Sequence, residues 1–403
     1  MRPRPDRLPR TVLLLGFTSL FTDVGTEMIF PLLPVFLVES LGAGPTYVGL
    51  IEGTADTVAS LLKLASGFIS DAMRRRKPLV LFGYGLASAV RPFVAVATRP
   101  WHVLAVRVTD RVGKGVRGSP RDALIADAAG DRAGHAFGFH QAMDNVGAVV
   151  GPLLATVLVA SHWPIRWIFW LAAVPGLVAV TLVAFVPEPR SNSRSPAASQ
   201  HSSRPRARRR LSVTGTLDRP LVLYLAVLFV FSLGNSSDAF LLLRARSLGI
   251  STAGIPILWA ALNLAKVAWA YIGGAWADRA PRVQLIAAGW VVYAAVYLGL
   301  ATASAPWHVW TLFVLYGVFY GLTEPVEKAL VKDLARPDAR GGAFGAYNFV
   351  GGITALPAGL LTGTLWRGKG PGTALAVDAG LAAAACGLLL AWSAWYTRTM
   401  ARR

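Results

Sequence analysis

The sequence predicts an all-α membrane protein of twelve transmembrane helices, arranged as two pseudo-symmetric six-helix bundles. Three observations predict it. Of 403 residues, 54% are hydrophobic and only 15% are charged, with a mean hydropathy of +0.50; a soluble chain carries about 25% charged residues. Apolar runs recur at roughly 20 residues, enough to cross ~30 Å of hydrocarbon. The clearest are 11–38, 221–243, 283–301 and 374–395. Finally, the second half of the chain repeats the first. Inside lipid the backbone has no water to bind, so each apolar run must close its own hydrogen bonds as a helix.

Apolar runs and their Gly and Pro breakers place spans near 11–37, 45–72, 78–98, 101–127, 135–160 and 165–187. A second set follows near 220–243, 253–277, 283–302, 306–333, 342–365 and 372–396. The chain therefore divides into an N-terminal bundle (1–187), a basic linker (188–219) and a C-terminal bundle (220–403). The linker is rich in Ser, Pro and Arg, the composition of solvated chain. The first apolar run is too long for a signal-peptide core and no small-residue cleavage site follows it, so it is read as span 1. The single cysteine, Cys386, falls inside the last span, which excludes a disulfide framework within one chain.

The formal charge of +19 would suit nucleic acid, but the basic residues lie at alternate loops. Arg2, Arg4, Arg7 and Arg10 precede span 1; Arg74, Arg75, Arg76 and Lys77 form the next loop on that side; Arg206, Arg208, Arg209 and Arg210 sit in the linker; Arg398, Arg402 and Arg403 close the chain. The intervening loops hold fewer. That asymmetry is the positive-inside bias and places both termini in the cytoplasm of a cell with an inner membrane. Expected partners are the lipid bilayer, a small-molecule substrate and protons, with no nucleic acid and a monomeric chain. No Walker loop, His-Glu-x-x-His or paired-cysteine metal site occurs, and Ser119 lacks the flanking glycines of a nucleophile elbow. Neither an enzyme, a metal site nor a cofactor is expected, and a proton gradient is the natural driver.

The internal repeat keeps one register across three separate loops. Gly67-Phe-Ile-Ser-Asp71 is echoed by Gly274-Ala-Trp-Ala-Asp278. Asp131-Arg-Ala-Gly-His-Ala-Phe-Gly138 is echoed by Asp338-Ala-Arg-Gly-Gly-Ala-Phe-Gly345, and Ala123-Leu-Ile-Ala-Asp127 by Ala329-Leu-Val-Lys-Asp333; the offsets are 206 or 207 positions. On these residues the chain resembles the major facilitator superfamily. Residues 67–78 look like its loop 2–3 motif, with Arg74 where the family usually has glycine. The resemblance implies that Asp71 and Arg75 gate the cytoplasmic side, with Asp278 and Arg279 as the second-half copy. Arg107 followed by Gly113 and Gly115 resembles the span-4 motif, whose arginine is tied to proton coupling. Gly147-Ala-Val-Val-Gly151-Pro152 resembles the span-5 motif associated with antiporters, implying a gating role for Gly147, Gly151 and Pro152.

Ionisable residues inside spans cost about 2.5–3.5 kcal/mol each on insertion scales, so they face a cavity or a partner. At ~100° per residue, Arg107, Asp110, Arg111, Lys114, Arg117, Arg121 and Asp122 of span 4 fall within an arc of roughly 140°. Asp23, Asp56, Asp110, Arg111 and Asp144 lie roughly 13–18 Å from their span starts, near mid-bilayer, where such architectures hold solute and coupling ions. Candidate proton-coupling residues are Asp23, Glu27, Asp56, Arg107 and Asp110, with Asp23 first and Glu27 second as carrier. Candidate substrate contacts are Arg111, Lys114, His140, Asp144 and Asn145 in the first half, and Asn263, Lys266, Tyr316, Tyr320 and Glu324 in the second. A permanent Asp–Arg pair between spans 1 and 4 would account for some of these charges by packing alone. The function expected is proton-coupled export of a small solute by alternating access; the alternative is a symporter or facilitator importing a small organic anion.

Overall fold

The computed structural model describes residues 8–72, 76–129, 133–187, 218–277, 280–336 and 340–401. Twelve helical segments follow one another: α1 (Arg10–Ser40), α2 (Pro45–Ala72), α3 (Lys77–Val96), α4 (Pro100–Ala129), α5 (Ala133–Ala160), α6 (Ile165–Ala184), α7 (Arg219–Ser247), α8 (Gly254–Ala277), α9 (Arg282–Thr302), α10 (Pro306–Leu334), α11 (Arg340–Lys369) and α12 (Pro371–Ala401). Among the described residues nine of them are long and apolar enough to cross a membrane, and 254–270 of α8 adds a shorter apolar stretch; α2 and α4 are less apolar. In α2 and α4 the reason is visible: Glu52, Asp56 and Lys63 on one, and Arg107 to Arg121 on the other, lower the hydropathy of helices 28 and 30 residues long.

Two helices depart from regular geometry. In α1, Pro31 and Pro34 have no N–H to donate, and the backbone passes through a 3₁₀ turn at Phe30–Leu32 and a π turn at Phe36–Ser40. In α7 the helix stops at Gly234 and restarts at Ala239. The stranded Gly234 carbonyl accepts the Tyr293 hydroxyl at 2.7 Å.

Glycine sets the closest helix approaches. A Cβ at Gly147 would lie 2.6 Å from the Leu20 carbonyl and 2.9 Å from the Asp23 Cβ; one at Gly151 would lie 2.6 Å from the Val24 carbonyl and 2.9 Å from the Glu27 Cβ. The small-xxx-small spacing of α5 thus seats α1 against it and fixes where Asp23 and Glu27 stand.

The duplication is visible in three dimensions. In each half the first helix packs on the fifth and the second on the fourth, while across the halves α2 meets α11 and α5 meets α8. Arg76 pairs with Asp127, and 206 positions later Arg282 pairs with Asp333. Pro100-Trp-His-Val103 recurs as Pro306-Trp-His-Val309. In both copies a histidine Nδ1 caps the helix start, accepting the Thr98 N–H at 3.2 Å or the Ser304 N–H at 3.3 Å. Each half thus keeps both the cap and the ion pair at matching positions, as copies of one unit would.

The halves are closed against each other at one end, the end reached by Ser40 and Pro45. There Glu39 accepts Arg246 Nε at 2.6 Å and Thr46 donates to the Gly363 carbonyl at 3.1 Å. Ala239, Phe240 and Leu243 of α7 are buried among Phe36, Leu37, Val48 and Ile51 of the first half. Gly49 and Gly359 touch backbone to backbone, leaving no room for a Cβ. Toward the opposite end, which carries the Arg76 loop and the start of α1, Lys63, Lys114, Glu324 and Asn348 are exposed.

Candidate solute cavity between the halves

A cavity of about 450 Å³ lies between the bundles. Asp23, Thr26, Glu27 and Phe30 reach it from α1 at spacings of three and four residues, hence from one helix face. Asp56 of α2 and Asp110, Arg111, Lys114 and Arg117 of α4 supply further charge, and the unwound part of α7, Asn235 to Asp238, forms part of the opposite wall.

Beneath the first-half wall runs a chain of buried ion pairs. Arg107 grips Glu52 with both arms, Nε to Oε1 at 3.0 Å and a terminal nitrogen to Oε2 at 2.5 Å. Its other terminal nitrogen stands 4.0 Å from Asp110. Asp110 in turn accepts Arg91 at 3.1 and 2.8 Å, and Arg91 also donates to the Thr22 carbonyl at 3.2 Å. Glu52, Arg107, Asp110 and Arg91 therefore tie α2, α4, α3 and α1 together. All four are buried, and the fork geometry of arginine suits such desolvated pairing.

One turn further along α4 the pairing loosens. Arg111 Nε is 3.8 Å from Asp56, whose side chain is 52% exposed. Buried nitrogens of Arg111 and Arg117 have no hydrogen-bond partner among the described residues. Lys114 is exposed in the cavity. These three cations share one helix face at spacings of three.

The second half presents a carboxylate held by two hydroxyls and an ammonium. Asp238, at the α7 break, accepts the hydroxyls of Tyr316 and Tyr320, each at 2.9 Å, and lies 3.4 Å from the Lys266 ammonium. That ammonium sits 3.7 Å from the Tyr320 ring centre and 5.0 Å from that of Trp259, within cation–π range. Tyr316 is fully buried behind Tyr320. Behind the break, buried Asp378 of α12 accepts Ser236 at 2.8 Å and Thr362 at 2.9 Å, joining α7, α11 and α12.

Three side-chain bonds bridge the halves inside the membrane, one of them from the Thr57 hydroxyl of α2 to the Gly352 carbonyl of α11 at 2.7 Å. Trp259 Nε1 donates to Glu27 Oε2 at 2.6 Å, with Phe30 packed 4.9 Å from the indole. Asn263 donates to the Ala148 carbonyl at 3.1 Å. Glu27 is thus a titratable group of one bundle that touches the other at the cavity, as Glu39 does at the sealed end.

The structure brings Asp23, Glu27, Asp56, Asp110, Arg111, Lys114, Asn263, Lys266 and Tyr320 to one cavity. Arg107 stands behind it, in contact with Phe30 at 5.6 Å. His140 is buried with Nδ1 3.5 Å from Asp144, and Asn145 accepts Gln141; these three α5 residues do not line the cavity. Glu324 opens on a second recess. The Asp71 side chain, Arg75, Asp278 and Arg279 lie outside the described residues. Gly147 and Gly151 sit at the α1–α5 contact, and Pro152 follows directly after the second of them. Sequence reasoning passed over Arg91, Thr26 and Asp378. Arg91 and Asp378 carry a readable signal, each being a single charge in an apolar run, although neither belongs to a charged cluster or a helical pair.

Two six-helix bundles around a charged central cavity define a multi-pass membrane transport protein. The chain belongs to the Major Facilitator Superfamily, whose family profile matches residues 15–359. It is 31% identical over 367 residues to an uncharacterised MFS-type transporter of Methanocaldococcus jannaschii, covering 89% of each chain. It is 26% identical over 336 residues to the multidrug resistance protein MdtH of Photorhabdus laumondii, covering 82% of this chain and 80% of that one. Among solved structures, a POT family transporter in complex with 5-aminolevulinic acid superposes with a TM-score of 0.78 at 12% identity, covering 96% of both chains. The nucleoside transporter NupG gives 0.74 at 13% identity, covering 95% of this chain and 98% of that one. At those identities the likeness to solved structures is one of fold.

Proposed function

We propose that this protein is a secondary active transporter of the cell inner membrane that exports a small solute in exchange for protons by alternating access. The observation that carries the reading is the Glu27–Trp259 bond. It places a carboxyl group on the seam between the two bundles, facing the same cavity as Asp23. A group so placed can link its proton to which side is open, because opening the sealed end separates it from Trp259. In this reading Asp23 is the carrier and Glu27 couples it to the seam. Asp56, Arg107 and Asp110 hold the charges around them, and Arg111, Lys114, Asn263, Lys266 and Tyr320 meet the solute. His140, Asp144, Asn145, Tyr316 and Glu324 act from behind or beside the cavity.

With both termini cytoplasmic, the sealed end is external and the cavity faces the cytoplasm, the state in which an exporter loads. Gly147, Gly151 and Pro152 let α5 move as one body with α1, while Asp71, Arg75, Asp278 and Arg279 close the cytoplasmic side in the other state. The chain works as a monomer in lipid. Similarity to multidrug resistance proteins named MdtH supports the outward direction. A second reading, uptake of a small organic anion, draws on the loosely paired Arg111, Lys114 and Arg117.

The sign of proton movement decides between them. A growth screen of a sensitive host against toxic organic cations and anions supplies the solute. Added to respiring inverted vesicles, that solute should make the acidic lumen more alkaline if protons leave as it enters; further acidification is the signature of symport. Asp23→Asn should abolish the solute-driven pH change while leaving the protein in the membrane. Unaltered coupling in that variant removes Asp23 from the role.

A further inference from the structure

Next to the central cavity, and sharing Ser232, Asn235, Tyr320 and Gly351 with it, is a second recess of about 320 Å³. Its floor carries Glu327 of α10. This carboxylate is only 6% exposed. It accepts the Trp290 indole N–H at 3.2 Å and the Tyr347 hydroxyl at 2.9 Å. Both donors are neutral, and among the described residues no Lys, Arg or His forms an ion pair with it. The other acid of the recess, Glu324, is exposed and is already paired with Lys328 at 2.9 Å. Four aromatic side chains, Phe231, Phe319, Tyr320 and Tyr347, line it together with polar residues such as Ser60, Thr323 and Asn348. Phe231 stacks on Trp290 at 4.4 Å between ring centres, and Tyr320 lies edge-on to Phe319 at 5.0 Å, so these rings support one another.

A buried carboxylate without a cation is a costly arrangement that a proton or an arriving cation relieves, and π faces attract positive charge most strongly where water is excluded. Pockets for small organic ligands combine such apolar walls with a few fixed polar groups. Glu327 lies seven residues before the end of α10 and Tyr347 seven residues after the start of α11. The recess is therefore nearer the unsealed end than the Trp259 seam. We propose that it is an entry subsite for an organic cation, an amine or onium ion with hydrophobic bulk, whose charge is met by Glu327 and whose bulk lies against Phe231, Phe319 and Tyr347. This deepens the export reading by naming a substrate class for it, and it differs in charge from the cationic face of α4.

The test is equilibrium binding of radiolabelled tetraphenylphosphonium to the purified full-length protein in nanodiscs, with no ion gradient. Native protein should bind it with a Kd below about 1 mM, and Glu327→Gln should weaken binding roughly ten-fold or more. Tetraphenylborate, equal in shape and opposite in charge, should not compete. Asn348→Asp adds an anion at an exposed position on the recess wall, so it should tighten binding about three-fold, a gain that loss of folding cannot produce. The proposal is overturned if native protein fails to bind the cation, if both variants bind like native, or if tetraphenylborate competes equally. Such failures leave proton exchange with another solute intact, because binding is read without a gradient.

Discussion

Replacing Arg107 with Met is expected to lower the protein's stability by about 3–5 kcal/mol, the range for removing one partner of a buried ion pair. The loss arises from what stays behind. Glu52 would keep its charge in a buried site with its bidentate partner gone, whereas Asp110 would still be held by Arg91. A second substitution, Glu52→Leu, should therefore restore most of the lost stability, since the orphaned charge is removed with its partner. Arg111→Met gives the contrast. Its 3.8 Å pairing with half-exposed Asp56 is of the kind that contributes about 0–1 kcal/mol. Thermal unfolding in detergent orders the four proteins. If Arg107→Met and Arg111→Met melt together, the buried chain of ion pairs is not what holds α2, α3 and α4 in place.

The second large effect is on conformation rather than stability. Trp259→Phe keeps a ring against Phe30 but removes the N–H donated to Glu27. A hydrogen bond to a charged group contributes about 1.5–3 kcal/mol, and in the proposed transport cycle this one joins the halves only while the Ser40 end is closed. Its loss should shift the population toward the state open at that end by roughly 10- to 100-fold. Distances between spin labels placed at the exposed Ser40 and Ser247 of that end, which leave the Glu39–Arg246 pair intact, would report the shift as a longer component. An unchanged distance distribution would mean that the Glu27–Trp259 bond does not bias the two states.

The fold was legible because membrane burial writes itself into one dimension. Hydrocarbon thickness sets helix length, and duplication set a constant offset, so spans such as 45–72 and 306–333 nearly coincide with α2 and α10. The charged face of α4 was legible for the same reason, since angular spacing along one helix is fixed. Pairing between helices was not. Glu52 and Asp56 share a face of α2, yet one is buried against Arg107 and the other reaches loosely toward Arg111. Which partner each meets depends on how α2 slides along α4, set by Gly115 packed on Ala59 and Leu62. Among the described residues the ion pairs on this face join α2 and α3 to α4, not α1 to α4. The α7 break was hidden too, since no proline marks residues 235–238. What stabilises the opening is Tyr293, Asp378 and the two tyrosines on Asp238, all distant in sequence.

The claim on which the rest depends is that charged side chains at mid-membrane stand in a water-filled chamber open toward the cytoplasm. Cys386, the only native thiol, is buried, so Lys114→Cys introduces one accessible thiol on the cavity face of α4. Treating inverted and right-side-out vesicles with a membrane-impermeant maleimide measures the claim directly. The account predicts rapid labelling from the cytoplasmic face of resting protein and slow labelling from the other. Labelling from neither face, or only from the outer one, would contradict it.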